Sequence, residues 1–140
     1  MARFWQIALV KPFCMKYIFT PVFLMMLLSA FTIKVGIEDV IGAMKAGNAT
    51  QLARFFDASV EISMPDKSNS YSKSQAEMII RDFFSNNSVK NFEIIHKGES
   101  AGSQYCIGTL QTKSGAYRTT IFMKQKKETQ VLQELRFETR

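Results

Sequence analysis

Histidine occurs once, at position 96, and no cluster of Asp, Glu or Cys stands in for missing ligands, so the sequence offers nothing that reads as a metal site. Cysteine occurs twice, at 14 and 106, too few and too far apart for a disulfide framework. Cys106, set among apolar neighbours, reads as a small core residue and not as a reactive thiol. No segment has the glycine spacing that cradles phosphate, which sets nucleotide-dependent chemistry aside, and no cofactor is expected. Internal repeats and low-complexity runs are absent as well. Charge is only mildly biased. The formal balance is +6, but from Ile33 onward fifteen Lys and Arg face twelve Asp and Glu, an ordinary surface that gives no nucleic-acid signature.

What the chain has in quantity is apolar residues, 46% of 140 positions with twelve Phe among them, enough for one domain with a real core. They are unevenly placed. From Met15 a lysine is followed by an apolar core of about twelve residues, too short for a comfortable bilayer span, and then by small residues around Ala30. That is the layout of a secretory signal. Residues 1–32 are therefore read as a signal peptide or an N-terminal anchor, with Met15 as an alternative start, and the chain as exported to the periplasm or secreted. Membrane contact is expected through this segment alone. Cys14 precedes the apolar run, and Lys11-Pro-Phe-Cys14 lacks the pattern of a lipoprotein.

The segment Tyr71–Asn87 is the clearest helix. Ser74 with Glu77 forms a capping box, Ser72 with Gln75 offers another two residues earlier, and Ala76, Ile79, Ile80 and Phe83 fall on one stripe. Before it, Ile37, Val40, Ile41 and Met44 mark a short helix stopped by Gly47, and Asn48 caps a second running from Ala49 to about Phe56. Val60, Ile62 and Met64 alternate with polar residues as a strand ended by Pro65, and 66–70 reads as a polar loop. After Asn87 the period changes to two. Strands are expected at 92–97, 104–112, 117–125 and 131–137, joined by hairpins into an antiparallel meander, with Phe92, Ile94 and His96 on one face of the first.

This order of helix, short helix, strand, helix and four strands is similar to the cone-shaped α+β fold of nuclear transport factor 2 and the ketosteroid isomerases. Local wording narrows it: Asp57 with Val60-Glu61-Ile62, the run from Pro65 to Glu77, Phe83-Phe84, Ile95-His96-Lys97-Gly98-Glu99, Gly102-Ser103-Gln104-Tyr105 and Arg118-Thr119-Thr120. These resemble the small exported bacterial family catalogued as domain of unknown function 4783. The resemblance implies a single domain over 33–140, with a cone-like curved antiparallel sheet of about four to five strands on three helices. It brings no activity with it.

For chemistry, His96 is the natural acid/base candidate because its ordinary pKa lies near operating pH. Tyr105 and Tyr117 are the hydroxyl donors that could join it in a common pocket, with Asp82 or Glu134 supplying a carboxylate. Tyr71, Lys73 and Arg118 are candidate binding residues. Two readings follow: a non-enzymatic domain that binds a small ligand or a protein partner in the cell envelope, or a small-molecule lyase, isomerase or hydrolase working inside the cone. An outer sheet face carrying Ile95, Ile121 or Phe122 would also suit a homodimer.

Overall fold

The computed structural model describes residues 36–140, so the N-terminal signal, the alternative start at Met15 and Cys14 lie outside the described residues. Within them three helices lie on one face of a six-stranded sheet. Helix α1 spans Ile37–Ala46; the Asp39 carboxylate accepts the Gly36 N–H at 3.0 Å, and Gly47 closes the helix at φ 61°, where only glycine is at ease. Helix α2 spans Ala49–Ala53, with the Asn48 side chain accepting from the Gln51 N–H at 3.0 Å. It stops short of the expected Phe56 because the chain is already drawn into the sheet there: Phe56 pairs with Leu132. Strand β1 follows at Phe56–Met64.

Strand β2, Lys67–Ser72, occupies what the sequence presents as a loop. Its residues are Ser, Asn, Lys and one Tyr, so no apolar alternation announces it. It is an edge strand, held by backbone pairing to β1 and by hydroxyl pairs Ser59–Ser70 and Ser63–Ser68. Helix α3, Lys73–Asn87, begins at the earlier of the two capping boxes, Ser72 with Gln75; Glu77 is engaged instead with Arg81 one turn on, at 2.5 Å. At about 1.5 Å of rise per residue α3 is roughly 22 Å long, enough to carry the chain beneath the sheet from the β2 edge to the β3 edge.

Strands β3 (Val89–Ser100), β4 (Ser103–Thr112), β5 (Gly115–Lys126) and β6 (Thr129–Thr139) are the antiparallel meander. The order across the sheet is β2-β1-β6-β5-β4-β3. The β1–β6 pair is parallel, the one departure from the expected antiparallel pattern, because β6 returns to β1 only after the crossover through α3. The inward residues Val60, Ile62, Phe92, Cys106, Leu110, Ile121, Met123, Leu132, Leu135 and Phe137 are buried against Val40, Ile41, Met44, Leu52, Ala76 and Ile80.

Candidate functional site

A cleft of about 480 Å³ opens at the end of the sheet where β1 and β6 finish and β2 and β5 start. Its lining comes from the β1–β2 hairpin (Met64, Pro65, Asp66, Lys67), from α3 (Ile79, Asp82, Phe83, Asn86), and from Tyr117 and Thr139. The α3 contribution follows from how the helix sits. Its fully buried line is Ala76, Ile80 and Phe84; Ala76 and Ile80 belong to the stripe drawn on the sequence, and Phe84 takes the place expected of Phe83. Ile79 and Phe83 are thereby turned to the margin of the core, only partly covered, where they become a wall of the cleft.

The aromatic base is fixed. The Phe83 ring meets Tyr117 edge-on at 5.2 Å between centroids and Phe137 at 4.6 Å. The Tyr117 hydroxyl donates to Asn87 Oδ1 at 3.2 Å, while Asn87 Nδ2 donates to the Phe83 carbonyl at 2.8 Å. These bonds tie β5 to the end of α3 and hold the phenol in one orientation. Around this base stand the exposed Asp66, Lys67, Asp82 and Asn86. The site is an apolar pocket with a polar, mixed-charge rim, a form suited to holding a small amphipathic molecule. Among the described residues no group of three His, Cys, Asp or Glu is placed to hold a metal ion.

The residues singled out in the sequence do not share one site; they meet in two separate pairs, Tyr117 with Asp82 and His96 with Tyr105. Tyr117 and Asp82 share the cleft. His96 is elsewhere, because a bulge at Ile94–Ile95 shifts the β3 register: Phe92 stands opposite Leu110 on the covered face, whereas His96 stands opposite Ile107 on the other. The expected shared face of Phe92, Ile94 and His96 therefore breaks at the bulge. Tyr105 lies on the same outer face, its ring against Gly98 where an added Cβ would come within 2.7 Å, and its hydroxyl is 2.9 Å from His96 Nε2. His96 is exposed, and the pair lines none of the cleft. Tyr71 is half-buried on β2 opposite Val60, Lys73 opens α3 in solvent, and Arg118 is exposed on the outer face of β5. Glu134, the other carboxylate considered, pairs with Arg136 at 2.8 Å. Ile121, one of three residues proposed for an outer apolar surface, is buried beneath the helices.

Two charged contacts brace the framework away from the cleft. Asp57, with its side chain only 13% exposed, accepts from Lys126 Nζ at 2.9 Å, the Ala58 N–H at 2.7 Å and Gln133 Nε2 at 3.2 Å. The Lys126 bond, with the Ala58 N–H next, holds its carboxyl below the ordinary value near 3.8. Lys97, inward beyond the bulge, binds Glu38 of α1, which raises the lysine above its usual value. Burial pushes the Cys106 thiol up to about 11, in keeping with a core residue.

The cleft residues Asp66, Lys67, Ile79, Asn86 and Thr139 were not singled out from the sequence as site residues. A turn after Pro65 was legible, but its apposition to α3 was not.

The helices wrapped by a curved sheet define a cone-shaped domain of the nuclear transport factor 2 type. An NTF2-like protein of unknown function from Cytophaga hutchinsonii shares this architecture at a TM-score of 0.54 and 9% identity, over 72% of this chain and 83% of that one. Within that class the chain belongs to the family described as Domain of unknown function (DUF4783), which it matches over residues 37–138. It is similar to the crystal structure of a DUF4783 protein from Bacteroides uniformis, with 32% identity, a TM-score of 0.71, and coverage of 74% of this chain and 95% of that one. A Bacteroides fragilis member matches at 28% identity and the same TM-score, over 76% of this chain and 100% of that one. These solved chains consist almost wholly of the matched region, so in these relatives that region folds without further sequence. No curated protein matches the chain.

Proposed function

We infer that the protein is a non-enzymatic binding module, exported to the cell envelope, which takes a small amphipathic ligand in the cleft between α3 and the β1–β2 hairpin. The observation that carries this reading is the cleft itself, about 480 Å³ with Ile79, Phe83 and Tyr117 at its base and charged residues at its rim. A catalytic role inside the cone would draw on His96 with Tyr105 or Tyr117; His96 and Tyr105 pair on the outer face of the sheet, and only Tyr117 lies on the face of the cleft. Export rests on the signal-like residues 1–32. The test uses Nile red, a neutral dye that brightens in apolar surroundings, with residues 36–140. Brightening by the wild type, lost in Ile79→Trp, which fills the cleft, and kept in Ile95→Ser on the far edge, is the expected result. A wild type that never brightens the dye, or an Ile79→Trp variant that brightens it equally, would remove the reading.

A further inference from the structure

The charges at the mouth of the cleft are of both signs, and the protein leaves them unmatched. Pro65 and Asp66 make a two-residue turn, and the pairing of Met64 with Lys67 that closes it sets those two side chains on one face of the hairpin. On α3, Ile79, Asp82, Phe83 and Asn86 fall three and four residues apart and share one side of the helix. Lys67 and Asp82 therefore reach the cleft from different walls, above one aromatic base. The ion pairs among the described residues are Arg81 with Glu77, Lys97 with Glu38, Lys126 with Asp57 and Arg136 with Glu134. None of them includes Asp66, Lys67 or Asp82, although all three line this cleft. Arg81, beside Asp82 in sequence, is engaged by Glu77 and Thr50.

We propose that the ligand of this cleft is a zwitterion with a short apolar group, of the class of an apolar α-amino acid, its ammonium held by Asp82 and Asp66 and its carboxylate by Lys67. The proposal rests on the cleft being a binding site, as inferred above, and adds what it selects. A ligand of one sign would satisfy one part of the rim and meet a like charge at the other, which costs affinity. A zwitterion finds an opposite charge for each of its ends. The base of the cleft selects the apolar group. Phe83 packs on Tyr117 and Phe137 at 5.2 and 4.6 Å between centroids, and Ala76, Ile80 and Phe84 behind it are buried. A base closed in this way suits a side chain such as that of leucine or phenylalanine and not a long acyl chain.

Three molecules with one ring and different charges test this: phenylalanine, phenethylamine, which keeps only the ammonium, and 3-phenylpropionate, which keeps only the carboxylate. Their binding to residues 36–140 is followed by shifts of the backbone amide resonances. Phenylalanine should bind about fivefold more tightly than either analogue, as exposed rim charges allow, and raised salt should narrow both gaps. Asp82→Asn should weaken phenylalanine and phenethylamine without weakening 3-phenylpropionate. Lys67→Gln should weaken phenylalanine and 3-phenylpropionate without weakening phenethylamine. A folding defect would lower all three ligands alike and cannot give this crossed pattern. Phenylalanine that does not bind, three ligands that bind equally, or variants that act on all three alike would each overturn the proposal. Nile red separates the two levels of failure. A dye that brightens in the cleft while the charge preference is absent removes the zwitterion and keeps the binding module, whereas a dye that never brightens, with no phenylalanine bound, removes both.

Discussion

The two faces of the one sheet have the same backbone and opposite surroundings. On the inner face Ile121, Leu135 and Phe137 are within 1% of complete burial, while their neighbours in sequence on the outer face are Thr120, Glu134, Arg136 and Glu138. The difference lies in parity alone, and parity is not a property of a residue. At the β3 bulge one inserted residue moves His96 to the outer face and turns Lys97 inward to meet Glu38. A single extra residue in an edge strand thus decides which face of the sheet carries the chain's one histidine.

The comparison is broken most severely from the inside. Leu135→Ala should cost about 3 kcal/mol, because a fully buried side chain at the centre of the sheet leaves a cavity that its neighbours cannot close; urea denaturation of residues 36–140 measures it. Asp57 sits between the extremes, charged yet largely covered. Its carboxyl titrates lower in the folded chain than in the unfolded one, so its contribution is complete above the ordinary value near 3.8 and is lost as pH falls through the lower folded value. Asp57→Asn should therefore cost about 1 to 2 kcal/mol near neutrality, and the gap between variant and wild type should close below about pH 4, in urea midpoints taken across the acid range. The smallest effect belongs to the outer face. Tyr105→Phe, which removes only the exposed bond to His96, should leave stability within about 0.5 kcal/mol. A loss of 2 kcal/mol or more there would mean that the outer face is as tightly built as the inner one.

Much of this fold was legible locally. Gly47 and Asn48 mark the α1–α2 junction through interactions that reach no further than four residues, and the same holds for the Ser72–Gln75 box. The meander was legible because its strands alternate and its hairpins are short. β2 was not, since an edge strand of Ser and Asn owes its conformation to the backbone of β1. Nor was the cleft. Tyr117 and Asp82 were among the candidates, but Ile79 and Phe83 read as core, and only the packing of Ala76, Ile80 and Phe84 against the sheet turns them toward the opening.

By itself, then, the sequence determined the elements: helix caps, strand periodicity and apolar content act over a few residues and need no distant partner. The tertiary structure alone decided which side chains share a space. The β1–β6 parallel pairing, the bulge that separates His96 from Tyr117, and the meeting of α3 with the Pro65 hairpin join residues far apart in the chain. Their positions depend on strand register, which adjacent residues do not encode.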